Sequence, residues 1–440
     1  MKHPVLKSGT LAVALIAANQ AMAGGFDNSS RGFDVIYGDD NVISTMYGQT
    51  SVPMKAQIQQ GAGNTSNVVA SGDIVDHFIR KQVAARYNLN NAVSCATQYE
   101  QPFAAGVAYA DDSLAYANSA TDIKSAPITT KYDSESITFA CGYDFALSTG
   151  EIKVFGGPKL QKVSGAFDED LTPNEAAEFD NLIVNLDGGT EAGYILGAAY
   201  SIPEIALRAS ILYHSQIDYS ATGTNKTFLP FSLLGIGLSD EIVTMDATAK
   251  TFTPQTVELA LQSGIAENTL AFLKLRWSEY GKLSTLDVTS DESVTIQNGA
   301  TVEAINNVAQ ANGSDAFDQL INPTVDMFSN DTLDYSFGLG RRFNDQLTMG
   351  ASFSGSVKIG GKGSDTPIGA DSTSLRLPGD TSHTVAFGGE YLVVPKLKVN
   401  GGFGYTFIDE YRVETKSGSF RAEFDKTEAF SFQLGASYEI

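Results

Sequence analysis

Phe430-Ser431-Phe432-Gln433-Leu434-Gly435-Ala436-Ser437-Tyr438-Glu439-Ile440 alternates from end to end. Phe430, Phe432, Leu434, Ala436, Tyr438 and Ile440 share one parity, and Ser431, Gln433, Gly435, Ser437 and Glu439 share the other. A period of two is the repeat of an extended strand whose two faces meet different environments. The same pattern recurs upstream. Leu397, Val399, Phe403, Tyr405 and Phe407 oppose Lys398, Asn400 and Thr406; Val385, Phe387 and Tyr391 oppose Thr384, Ala386 and Glu390. Ala271, Leu273, Leu275 and Trp277 oppose Lys274, Arg276 and Ser278. A soluble sandwich carries a more charged outward face and a more aliphatic inward one. Here the apolar faces end in Tyr and Phe, and the polar faces carry Gly and Ser. That is the pattern of a transmembrane barrel with aromatic girdles and a polar lumen.

Turn spacing extends the reading. Short polar or proline turns fall at Asn88–Asn91, Ser148–Gly150, Ile202–Glu204, Ala266–Asn268, Phe343–Gln346 and Val394–Lys396. Between them lie pairs of strand patterns separated by long polar segments, near 111–130, 165–189, 220–251, 288–331 and 360–379, with a shorter one near 412–420. Tight turns at one rim and long loops at the other are the asymmetry of outer-membrane barrels. With a first strand at 41–58, the count predicts an all-β, antiparallel barrel of about 14 strands occupying 41–440. Two loop segments, Asn174–Ile183 and Val302–Ile321, carry helical apolar spacing. Phe228–Ile236 is an apolar loop stretch, read either as a lid over the barrel mouth or as a docking surface for an apolar solute.

Composition excludes several classes. The 440 residues hold 29 Lys and Arg against 51 Asp and Glu, a net charge of −22, which disfavours nucleic acid as a partner. Nothing resembles Gly-x-Ser-x-Gly, His-Glu-x-x-His, Cys-x-x-Cys or a phosphate loop, and Gly360-Gly361-Lys362-Gly363 lacks the following Ser or Thr. No enzyme, cofactor or metal site is expected. Residues 1–23, with Lys2, His3 and Lys7, an apolar run Leu11–Ala18 and Ala21-Met22-Ala23, read as a cleaved secretory signal. The expected location is therefore the outer membrane of a Gram-negative-type cell. A barrel there meets lipid and lipopolysaccharide, depends on assembly machinery for insertion, and is expected as a monomer. Cys95 and Cys141 fall on neighbouring strands on the apolar parity, as a cross-strand disulfide or as two separate thiols. Arg208, Lys274, Arg276 and Arg342 fall on the polar parity, and His214 shares it. These cations either hold a ligand carboxylate or pair with Asp144, Glu258 or Glu390 to brace the lumen.

The order of several segments resembles the FadL/TodX family of outer-membrane transporters for long-chain fatty acids and other hydrophobic compounds. Ser30–Gly38 before the first strand is similar to the opening of a divergent branch of that family. Tyr99–Tyr109 resembles its third strand, Leu273–Tyr280 its tryptophan-serine strand, and Leu375–Asp380 its Pro-Asp step. The family's Asn-Pro-Ala hatch motif is absent, and only 24–40 precede the first strand as a short hatch. The resemblance implies a segment tucked inside the barrel, ligand capture on the outer loops, an apolar pocket, and sideways release through the wall beside the third strand. It assigns Phe26 and Phe103 to the pocket, with Pro102, Gly106 and Tyr109 at the wall. From the residues alone, Gly106 fits either a disrupted strand or a close contact between strands. A general diffusion porin and a structural or adhesive barrel are the alternatives.

Overall fold

The computed structural model describes residues 32–38, 40–60, 68–70, 73–108, 126–170, 182–229, 231, 239–311, 316–327, 330–359, 381–414 and 420–440. Fourteen antiparallel strands close into a barrel. They are β1 (Val42–Ser51), β2 (Phe78–Asn88), β3 (Val93–Glu100, resuming at Ala104–Ala108), β4 (Ala126–Leu147), β5 (Gly150–Asp170), β6 (Leu182–Ile202) and β7 (Leu207–His214, resuming at Ile217–Leu229). There follow β8 (Glu241–Thr253 and Thr256–Ala266), β9 (Thr269–Ser278 and Thr285–Ser290), β10 (Asp331–Arg342), β11 (Leu347–Ile359), β12 (Ser382–Val394), β13 (Leu397–Ile408) and β14 (Thr427–Glu439). Closure is made by β1 on β14, from Val42↔Glu439 to Ser51↔Phe430.

Alternation sets the faces. Phe403, Phe430 and Leu434 point outward and stay exposed, Leu434 at 62%, a value no soluble core residue would show. Their neighbours Ser431 and Gln433 are buried within the barrel. Tyr405 stacks edge-on against Phe407 and Phe430 in the outward aromatic set. Among the described residues no helix is long and apolar enough to cross a membrane; the strands carry the span.

All six tight turns stand where the spacing puts them. Three sequence expectations need correction. The first strand stops at Ser51, and Ala56–Gln60 belongs instead to a small four-stranded sheet with Val68–Ala70, Tyr411–Glu414 and Phe420–Phe424. The described parts of segments 165–189 and 220–251 are largely strand, because β5 to β8 run on beyond the apolar belt. There the inward face is apolar and buried, with Phe167, Val184, Leu186, Ala221, Ala247 and Ala249 in one cluster, and the outward face is polar and meets water, so the apolar-out pattern of the belt is lost while the backbone ladder continues. Leu182 and Ile183, expected at a helix end, open β6; the rest of that stretch, 174–181, lies outside the described residues.

The second helical expectation is met by α1 (Val302–Ala311) and α2 (Ala316–Ile321). They pack Val302, Ile305, Phe317 and Ile321 against Leu229, Phe231, Val243 and Met245. Asn225 of β7 donates to the Ile321 carbonyl at 2.9 Å, and Ser290 of β9 donates to the same oxygen. Leu229 and Phe231, from the apolar loop stretch, are therefore part of a lid on the long-loop side.

Candidate functional site

The interior is organised in three levels. Nearest the tight turns lies a polar cavity of about 490 Å³, lined by Arg86, Ser94, Asp144, Lys153, Arg208 and Gln262 among others. Lys153 Nζ is 2.8 Å from Asp144 Oδ2 and 2.9 Å from Ser94 Oγ, which braces the wall.

Above it sits the N-terminal segment. Asp34–Ile36 forms one 3-10 turn inside the barrel. Phe33 and Ile36 are buried against Ala96 of β3, Ala140 of β4, Phe155 of β5, Ile195 of β6 and Leu212 of β7. Small residues at 96 and 140 leave room for the two larger side chains. Between them, the Asp34 carboxylate lies 3.9 Å from Arg208 Nη2 and 3.6 Å from Lys274 Nζ. The Arg208 guanidinium also stacks over the Tyr37 ring at 4.2 Å. Lys274 makes a closer contact, 3.0 Å, to Glu258. Burial raises the Asp34 carboxyl, but the Lys274 and Arg208 cations outweigh it and hold Asp34 below the ordinary carboxylate range.

The third level is apolar. Phe103 and Ala105 of β3 meet Tyr280 and Leu283, with Tyr132, Phe252 and Met327 packed beside them. Tyr280 and Leu283 arrive through the interruption of β9, where Tyr280–Lys282 makes a 3-10 turn. Nothing in the period-two pattern signals that inward step; only Gly281, after the Trp277-Ser278 strand end, marks a break.

Beside this cluster the wall is discontinuous. The β2–β3 ladder runs from Asn88↔Ser94 to Gln82↔Glu100 and returns only as a single bridge, Val75↔Val107. On the other side β3 loses register with β4, from Glu100↔Ser136 to Ala104↔Asp133, one residue being added to β3. Pro102 cannot donate to a ladder, and it sits at the break. Phe103 is tied to Ser134, whose hydroxyl accepts from the Phe103 amide at 2.8 Å and donates to its carbonyl at 3.0 Å. Gly106 lies above the break in a paired segment, opposite Lys131. A Cβ there would lie 2.7 Å from the Asp76 Cβ, so glycine admits the close approach of 73–77. The Asp76 amide donates to the Gly106 carbonyl at 2.9 Å.

The sequence candidates thus separate. Phe103 belongs to the apolar cluster. Arg208 and Lys274 share Asp34, a partner absent from the sequence expectation. Arg276 is bound to Asp334 of β10 through Nε and Nη2, at 2.9 and 2.7 Å, with Ser356 donating to the other carboxylate oxygen. Of the acids expected as braces, Glu258 pairs with Lys274; Asp144 pairs with Lys153, a cation outside the expected set, and Arg276 takes Asp334 instead. Arg342 donates to Asn268 in a tight turn, at 3.2 Å. His214 is buried at the end of the first part of β7. Cys95 and Cys141 face each other in register on the outer face and are joined by a disulfide. Phe26 and Tyr109 lie outside the described residues.

A closed barrel of 14 strands with an N-terminal segment inside it, a helical lid and a broken third strand has a fold similar to that of the solved FadL and TodX barrels. A FadL homologue of Pseudomonas aeruginosa superposes with a TM-score of 0.69 at 13% identity, covering 99% of both chains. The toluene transporter TodX of Pseudomonas putida gives 0.57 at 12% identity, covering 98% of this chain and 100% of that one. The toluene transporter TbuX of Ralstonia pickettii gives 0.56 at 10% identity, covering 99% of both. No protein-family model and no curated protein matches the chain.

Proposed function

We propose that this chain is an outer-membrane transporter for hydrophobic compounds, long-chain fatty acids or molecules of similar character. The observation that carries the reading is the break between β2 and β3 beside the apolar cluster of Phe103, Tyr280 and Leu283. An apolar solute gains roughly 0.8 kcal/mol for each methylene it buries, so such a cluster suffices to draw it from the lid. The level below is filled by Phe33 and Ile36, and the cavity beneath is charged, which makes the axial route unfavourable for hydrocarbon. The wall gap at Gln101–Phe103 offers exit to the bilayer instead. The toluene transporters that share the fold support passage of hydrophobic cargo.

The test is uptake by cells that lack their own fatty-acid transporter and express the full chain. Labelled oleate entering without labelled sugar supports the reading. Sugar entering without oleate means a hydrophilic pore and overturns it.

A further inference from the structure

β6 carries three glycines in six residues, Gly188, Gly189 and Gly193. Glycine weakens a strand, and inside one it marks a bulge or a close approach. Here it marks both. Against β5 the register steps from Val163↔Gly189 to Ser164↔Asp187, so Gly188 is an extra residue, and Gly189 takes a φ of +68°. A bulge bends its strand. The edge of β6 turned toward β7 is the one that loses its ladder.

Pairing of β6 with β7 runs up to Ile195↔His214 and returns at Asp187↔Thr222, eight residues further along each strand, so no residue is inserted in either. The ladder ends on a side chain, because the Tyr194 amide donates to Ser215 Oγ at 3.0 Å. Beyond it, side chains close the wall. Ile217 and Tyr219 are each only 2% exposed. A Cβ on Gly193 would lie 2.6 Å from Ile217 Cγ1, and one on Gly188 would lie 3.3 Å from Tyr219 Cδ1. The two glycines are seats for the two side chains. Opening a ladder in a membrane breaks hydrogen bonds that lipid cannot replace. Opening this interval asks only that two side chains change rotamer.

Both ends of the interval suit an apolar solute. On the lumen side Val163, Ile217 and Tyr219 form an apolar group with Tyr132 packed against it, and Tyr132 also packs against the Phe103 cluster. On the outer side Tyr194 and Tyr213 pair at 5.9 Å just below, with Tyr194 exposed, in the manner of an interfacial girdle. The height matches that of the β2–β3 break. β7 leaves its ladder seven residues after Leu207, and β3 leaves its own seven residues after Val93. The mouth is acidic, with Glu191 of β6 and Asp218 of β7 both exposed, while Lys250 of β8 stands one strand away, opposite Ser220.

We infer that the interval between β6 and β7 is a second passage through the wall, closed by Ile217 and Tyr219, and that it carries uncharged apolar solutes between lumen and membrane. Val163, Ile217, Tyr219 and Tyr132 offer a carboxylate no counter-charge, and the mouth offers it two acids, so an anion is turned away. This rests on the transport function proposed above and adds a route to it.

The experiment uses cells that lack their own fatty-acid transporter and express the full chain. Uptake of labelled naphthalene and of labelled oleate is measured above that of cells without the chain. Ile217→Ala with Tyr219→Ala removes the closure and is expected to raise naphthalene uptake about threefold or more, with oleate unchanged. Heat-dependent gel mobility shows that the variant barrel has formed. Equal rises for both solutes, or no rise for naphthalene in a folded variant, overturn the proposal. The unaltered chain gives a second measurement. In phosphatidylethanolamine–phosphatidylglycerol vesicles it is photolabelled with a diazirine-bearing alkane, and the modified residues are located by mass spectrometry. Labels on Ile217 and Tyr219, which the closed wall shields, support the passage. Labels confined to Phe103 and Tyr280 overturn it while leaving hydrophobic transport standing. No label inside the barrel, with no uptake of either solute, overturns the transport reading as well.

Discussion

Cys95 of β3 lies directly opposite Cys141 of β4 and is bonded to it, on the membrane side of the strand whose other edge separates from β2 five residues further on. The covalent clip holds the lower half of β3 to β4, so the free edge at Gln101–Phe103 belongs to the β2 side.

Cys95→Ser with Cys141→Ser removes a cross-link spanning 46 residues of chain. A loss of about 2–4 kcal/mol of unfolding free energy is expected, with the barrel still formed. Denaturant unfolding followed by heat-dependent gel mobility measures it; an unchanged midpoint means the clip contributes nothing to the folded state.

Gly106→Ala places a Cβ 2.7 Å from the Asp76 Cβ. Overpacking of this kind costs about 1–3 kcal/mol. Asp76→Gly in the same chain should recover most of that loss, and the four chains form a double-mutant cycle. Additive losses would show that the two residues do not meet.

Arg276 and Asp334 form a buried pair. Asp334→Leu alone removes the carboxylate that accepts from both Nε and Nη2 of the buried Arg276 and is expected to cost about 3–5 kcal/mol, whereas Arg276→Met with Asp334→Leu costs much less. Thermal unfolding of the three chains distinguishes a brace from an incidental contact, because only a brace shows the larger single-variant loss.

Asp34 is held below the ordinary carboxylate range in the folded barrel, so its contribution to seating the segment is present above that range and disappears as pH falls through the depressed value. Maleimide labelling of a Val35→Cys chain, with the pH lowered from 7 toward 3 for a fixed interval before quenching and reaction at one common pH, should rise on the acid side. The same scan with Asp34→Asn should be flat. A flat scan in both chains would remove Asp34 as the latch.

Leu283→Ala trims the apolar cluster beside Phe103 and Tyr280. A loss of about 2 kcal/mol or more in stability is expected, together with relatively tighter binding of bulkier hydrophobic molecules in competition assays. Unchanged size preference would place the ligand elsewhere in the barrel.

The barrel was legible because membrane and lumen impose opposite chemistry on alternate residues. Phe430 to Ile440 states the period, and turns such as Val394-Pro395-Lys396 mark one rim. The rule changes sign above the belt, where the inward face is apolar and buried and the outward face is polar and wet, which is why Asp168 and Asn185 read as loop although both are paired in strands. Trp277 and Ser278 announced β9 correctly, but the inward turn of Tyr280–Lys282 depends on contacts with β3, 175 or more residues away in sequence.

Periodicity, turn chemistry and charge therefore determine by themselves that this chain is an antiparallel membrane barrel, how its strands are counted, and which parity carries its cations. Partner choice is a different quantity. Whether Arg208 and Lys274 meet a ligand, Glu258 or Asp34, and whether Gly106 marks a kink or a close approach to Asp76, depends on which strands closure brings side by side and how far the N-terminal segment reaches into the lumen. Those distances arise only when the sheet closes, because local pattern encodes the face a residue occupies and not the residue standing across from it.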